Sequence, residues 1–462
     1  MTHTDNGPQR EKVAFWRIPS VRAFLYQALA IGFLVMMALI IYKNTLANLA
    51  KRGIKTGFSF LTNEAGFAIG ETTALPLFQG KTLWLLGAIL VGVSVVFFLS
   101  KKMKKEGKTL TDSTPMCLLA AVLLIGVPGA VLWFFPGEVP TIRYSESSNY
   151  IAALATGLTN TLKVSIIACI LSTILGLLVA LARLSPNWLL SRLARWYVEI
   201  NRNIPLLMQL FFWYFIVFQG LPSVRKSIEL WGVISINNRG LFVPKPIFLA
   251  GAAPFIAAVV LALVAIWFYV RHAHRLQDTT GRQLPVLLPS LGILAALPAL
   301  SALCFGTPFD FDIPRLAGFN FKGGMTLTPE FVALVTGLTI YVSAFNAEII
   351  RSGIESVSRG QREAAYALSL SNAQSMKLVI LPQSLRVTVP PMINEYLAVT
   401  KSSSLAVAIG YPDVVSVGGT ILNQTGQAIE VIGIWMGVYL ILSLVISMGM
   451  NWYNAKIKLV ER

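Results

Sequence analysis

Long apolar runs alternate along this chain with short segments that carry most of its charge. A membrane-crossing helix needs about 20 mostly apolar residues at 1.5 Å of rise each. Ten stretches approach that requirement: roughly 23–42, 83–100, 116–135, 157–182, 204–219, 247–270, 285–305, 330–350, 387–409 and 432–453. The fifth is short. The ninth is broken up by polar residues and by Pro390 and Pro391. The pattern predicts an all-α polytopic membrane protein with about ten transmembrane helices, the first being an uncleaved anchor.

Composition sharpens this picture. Charged residues make up 13% of the 462 residues, and mean hydropathy is +0.67. A soluble protein of this length carries roughly twice that charged fraction. The net charge of +17 is explained by basic loops on the cytoplasmic side, since the basic residues form no patch interleaved with aromatics of the kind nucleic acid requires. With the N-terminus inside, the densest basic run, Lys101–Lys108, also falls inside, which predicts cytoplasmic termini. Loop 43–82 is the exception, long and basic on the outside.

Few features suggest catalysis. Cys117, Cys169 and Cys304 lie apart in apolar runs and form no pair motif. His272 and His274, expected on a solvated turn, stand beside Arg271 and Arg275, which would repel a cation. The triplets Gly80–Thr82 and Gly107–Thr109 lack the upstream glycine of a phosphate-binding loop; Leu75 and Lys102 stand there instead. The chain is therefore expected to be no enzyme and to hold no cofactor or metal.

One stretch departs from the alternation. Residues 361–382, QREAAYALSLSNAQSMKLVILP, lie on the predicted cytoplasmic side and read as a surface helix, a turn and a second helix. Glu363 is expected in a first turn, where the helix dipole favours an acid. Ala364, Ala365, Ala367 and Leu368 give a small, smooth face. Ser371 with Gln374 three residues on forms a capping box that starts the second helix. Pro382 is expected to force Leu381 out of helical geometry and end it.

The Glu363-Ala364-Ala365 triplet with Leu381-Pro382 downstream resembles the EAA motif of the permease subunits of bacterial ABC importers. The resemblance extends over 157–185, 199–215, 400–415 and 422–454, which are similar to the polar-amino-acid branch. Segments 44–71, 238–246 and 311–331 look like the general L-amino-acid importers. It leaves out 80–150, where an extra two-span hairpin is expected. It implies a type I importer core with coupling helices that dock on a separate cytoplasmic ATPase, so that ATP is used by that partner. In one departure, Ser369 stands where the motif has glycine. A left-handed serine there costs roughly 1 kcal/mol or more. Either the turn is not left-handed or the capping box compensates.

The resulting organisation is a cytoplasmic N-terminus (1–22) and an extension of about three spans with a periplasmic loop 43–82 (23–150). An importer domain follows (151–453), with an inserted two-span hairpin at 247–305 and the coupling region at 361–386, and then a cytoplasmic tail (454–462). Coupling is assigned by resemblance to Glu363, Ala364, Ala365, Ser369, Leu381 and Pro382. Polar side chains in spans are costly and point to a pathway: Asn394, Glu395, Thr400, Lys401 and Ser402 in the ninth span and Gln209 in the fifth. Glu395 and Lys401 could serve the two charges of a zwitterion, or simply neutralise each other. Lys163 is expected to snorkel. The expected partners are the ATPase, a second homologous permease, a periplasmic amino-acid-binding protein docking on loops 220–246 and 306–329, and membrane lipid. The expected location is the bacterial inner membrane. The alternative is an ATP-independent secondary transporter, which expects matched broken helices in both halves.

Overall fold

A computed structural model describes residues 19–51, 53, 56–72, 75–76, 141–249, 252–281 and 284–457. The predicted spans 83–100 and 116–135, Cys117 and both GKT triplets lie outside the described residues.

Helix α1 (Pro19–Lys51) is apolar and exposed along its length. Helix α2 (Tyr150–Arg183) is started by Asn149, whose side chain accepts from the Ala152 amide. A tight turn leads to α3 (Trp188–Asn203), capped in the same way by Asn187. Pro205 breaks the rod, and α4 (Leu206–Phe211) continues as a π-turn through Phe218. The fifth predicted span is thus a 13-residue apolar piece, Leu206–Phe218, standing on a polar helix.

Helices α5 (Ala252–Thr280) and α6 (Leu287–Phe305) form a hairpin that packs chiefly on itself. His272 and His274 lie inside α5 rather than on a turn, because the helix runs ten residues past the apolar stretch. Helix α7 (Pro329–Glu355) has Thr328 as N-cap, a proline at its first position and Glu330 in its first turn. The coupling segment forms α8 (Arg359–Ala367) and α9 (Asn372–Ser375), the latter passing through a π-turn (Met376–Ile380) into α10 (Leu381–Ser402). A 3₁₀ stretch to Ile409 and a left-handed Gly410 end that rod. Helix α11 (Val414–Thr425) leaves at 52°, and α12 (Ala428–Ile457) closes the bundle. Among the described residues six helices are long and apolar enough to cross a membrane, seven with the bent pair.

The segments between spans are not plain loops. Strands β1 (Leu75–Pro76) and β2 (Thr141–Ile142) pair with each other. Strands β3 (Ile228–Leu230), β4 (Ile234–Asn237) and β5 (Gly240–Val243) form a sheet with β10 (Met325–Leu327), in the order β10-β5-β4-β3. Strand β6 (Lys245–Phe248) pairs with β7 (Phe309–Asp312), so the α5–α6 hairpin rises from a two-stranded ribbon. Strands β8 (Arg315–Ala317) and β9 (Asn320–Lys322) close a further hairpin. Alternation in short polar segments escapes a search tuned to apolar runs.

Helix α7 is the centre of the bundle, and its contacts use small residues. A Cβ on Gly176 of α2 would come within 2.6 Å of Asn346 Cβ, and one on Gly353 of α7 within 1.9 Å of Thr388 Oγ1 of α10. Gly337 gives way to Leu210 Cδ2 at 2.6 Å. Such glycines let backbones approach where lipid supplies no hydrophobic drive. Gly176→Val should therefore destabilise by about 1–3 kcal/mol or more. Gly437→Val, with nothing within 4 Å of its Cβ position, serves as the control. Unfolding midpoints in detergent should fall for the first and hold for the second; equal midpoints would disprove the close approach.

Candidate coupling and translocation sites

The coupling turn is left-handed. Ser369 has φ +57. The Ser369 amide donates to the Tyr366 carbonyl (2.8 Å) and the Leu370 amide to the Ala365 carbonyl (3.1 Å). These two bonds satisfy the last carbonyls of α8 in the Schellman pattern, which usually takes glycine at that point. The capping box is also present. Ser371 Oγ accepts from the Gln374 amide, and Gln374 Oε1 accepts from the Ser371 amide at 2.9 Å. Of the two alternatives the first fails, because the turn is left-handed, and the cap that the second requires follows the turn directly.

Two expectations about this segment fail. Helix α8 begins at Arg359, so Glu363 is its fifth residue and no acid occupies the first turn; the dipole argument lapses. Pro382 does not end the second helix. Leu381 is helical (φ −60, ψ −44), and Pro382 sits at the start of α10. The wide π-turn before it changes the hydrogen-bond register, so the missing proline N–H and the ring's clash with the preceding turn are absorbed.

The segment presents an exposed face. Glu363 and Ala364 are exposed, whereas Ala365 is buried at 2% exposure. Tyr366, Leu368 and Leu378 are large, apolar and exposed. The pair is tied to the bundle by Arg362 Nη2 donating to the Ile354 carbonyl (2.8 Å) and Gln383 Nε2 donating to Gln361 Oε1 (3.3 Å). Leu381 and Pro382 are exposed at the root of α10.

The predicted pathway residues separate. Asn394 and Glu395 line a cavity of about 310 Å³ with Arg202, Phe345, Glu348, Ile349 and Pro391. Lys401 lies on the same exposed stripe of α10 as Asn394, with Val387, Pro391 and Ala398 at helical spacing. Thr400 is buried and bonds back to the Tyr396 carbonyl (2.9 Å). Ser402 is half-buried near the end of α10. Gln209 is buried and donates to the carbonyls of Asn201 (2.9 Å) and Ile204 (3.1 Å), holding the break at Pro205. Glu348 is bound by Arg183 and Arg351. Among the described residues, no ion pair joins Glu395 to Lys401.

Two features were missed. Helix α3 exposes Arg192, Arg195, Glu199 and Arg202 on one stripe, and Arg202 stacks on Phe345 at 5.2 Å before opening into the cavity. Their spacing of three and four residues is the available signal, hidden because most of the stretch falls between the apolar runs 157–182 and 204–219. Lys163 does not snorkel. Its Nζ pairs with Glu71 at 3.3 Å and lies 4.4 Å from the Phe331 ring centroid. No pattern in the sequence links positions 71 and 163.

Comparison with known proteins gives one consistent family. Residues 281–457 match the model of the binding-protein-dependent transport system inner membrane component. The chain is 40% identical to the permease protein YhdX of Escherichia coli over 96% of both chains. It is 38% identical to the general L-amino acid transport system permease protein AapQ of Rhizobium johnstonii, over 96% of this chain and 94% of that one. It is 41% identical to the glutamate/glutamine/aspartate/asparagine transport system permease protein BztB of Rhodobacter capsulatus, over 70% of this chain and 82% of the other.

The left-handed serine supplies a test. Ser369→Gly should stabilise the α8–α9 turn by about 1 kcal/mol, because glycine carries no Cβ penalty at positive φ. Amide exchange over 359–380 should slow. Unchanged or faster exchange would mean the turn is not left-handed in the membrane.

Proposed function

This chain belongs to the inner membrane components of binding-protein-dependent transport systems, the permeases of ABC importers, and from that premise we propose that it carries L-amino acids inward, driven by a separate ATPase. The carrying observation is the α8–α9 turn, an exposed helix pair rooted in α10 and offering Glu363 and Ala364 outward. It suits the groove of a cytoplasmic ATPase, which would bind and use ATP while this chain holds no cofactor and does no chemistry. Family membership removes the secondary-transporter reading.

Both termini then face the cytoplasm, with the coupling helices. The β-structured segments face the opposite side, where an amino-acid-binding protein would deliver its load to 220–246 and 306–329. Polar groups at membrane depth need water or protein beside them. The stripes of α3 and α10 meeting at Arg202, Asn394 and Glu395 therefore support a pathway face, covered by a second, homologous permease. The relatives named for L-amino acids support that substrate class, whose members all carry an ammonium and a carboxylate.

Two outcomes follow. Glu363→Arg should abolish ATP-driven uptake and co-purification of the ATPase; retention of both would place docking elsewhere. Glu395→Gln and Lys401→Met should each cut uptake or shift substrate preference in vesicles. Normal uptake and range in both would remove them from the pathway.

A further inference from the structure

Residues 56–72, which follow α1, lie as a strap across the end of the bundle opposite the coupling helices. The Gly57 amide donates to Glu430 Oε1 of α12 (2.8 Å). The Tyr150 amide donates to the Asn63 carbonyl (3.1 Å), and the Ala65 amide to the Ser148 carbonyl (2.8 Å). Phe60, Ala65 and Ile69 share a buried cluster with Tyr150 and Ala153 of α2, Val417 and Ile421 of α11, and Val431 of α12.

The strap ends on a carboxylate that is nearly buried, at 10% exposure. Glu71 accepts from Lys163 Nζ of α2 (3.3 Å), from Thr328 Oγ1 at the cap of α7 (2.8 Å) and from the Tyr411 hydroxyl (3.2 Å). Its backbone carbonyl accepts from Asn160 Nδ2 (3.1 Å), which also donates to the Pro412 carbonyl (2.9 Å). Tyr411 and Pro412 form the break between the α10 rod and α11, and Tyr411 is fully buried. The Asn372–Ile409 rod reaches from the coupling turn to this break without interruption. Glu71 thus ties the far end of that rod to α2 and α7.

We propose that Glu71 is a positioning residue of transport: by fixing the break at Tyr411 against α2 and α7, it makes the end of the bundle opposite the coupling helices follow the α10 rod as one body. Displacement imposed at the coupling turn then reaches that end instead of being lost in a loose link. The inference rests on the reading of the chain as an ATPase-driven permease.

The test uses the importer purified whole with its native partners, in liposomes with its binding protein and radiolabelled L-glutamate and L-glutamine. The readout is uptake per ATP hydrolysed, with assembled complex and unfolding midpoint measured alongside. Glu71→Gln should keep ATP hydrolysis while uptake per ATP falls roughly two- to thirtyfold, the range for changes within a coupling network. Tyr411→Phe, which deletes one hydroxyl and keeps the ring, should lower the same ratio. An unchanged ratio in both, or a loss of uptake matched by an equal loss of assembled complex, overturns the inference. No ATP-driven uptake in the unmodified importer would instead overturn the reading beneath it.

Discussion

Lipid tails are as apolar as leucine, so burial of apolar surface does not draw the helices of this bundle together. What does is the closeness of backbones, and that depends on positions with no side chain. Gly176 against Asn346, Gly353 against Thr388 and Gly337 against Leu210 bring α2, α10 and α4 onto α7. The cavity and the Glu71 cluster both hang on that contact. Helix α7 carries Phe345 and Glu348 into the cavity at one level and Thr328 into the Glu71 cluster at its cap.

Stiffness continues outward from that contact. The coupling turn is stiffened at its weakest point by the Schellman bonds around Ser369 and the capping box at Ser371. The π-turn at Met376–Ile380 lets the chain keep Pro382 and remain helical. A rod that ended at Leu381 would leave the α8–α9 pair and the cavity joined by a loop. The continuous rod instead places Asn394 and Glu395 partway along one helix that starts at the α8–α9 turn.

Charge in the bundle is handled in two ways. Glu348 and Glu71 are surrounded by cations and hydroxyls, and each acts as structural fixing. Arg202 and Glu395 line a cavity and, among the described residues, belong to no ion pair. A charge spent on a neighbour holds elements together, whereas Arg202 and Glu395 leave charge facing the cavity.

The sequence by itself determined the class of protein, the positions of most spans and the helix–turn–helix at 361–382. Each follows from local physics: the length of an apolar run, the spacing of a capping box, the sparsity of charge. It also carried the glycines of α7 and α2, though not which surfaces they meet. The tertiary structure alone decided the rest. It turned Ser369 left-handed, carried α10 through Pro382, brought Arg202 of α3 to the cavity, set Thr400 and Gln209 against backbone carbonyls and brought Glu71 to Lys163, 92 positions away. Local propensity is a difference of about 1 kcal/mol or less per residue, about 3 for proline inside a helix, which packing, buried charge and a change of helical register offset. A sequence states what each residue prefers, but only the fold states which neighbour overrides the preference.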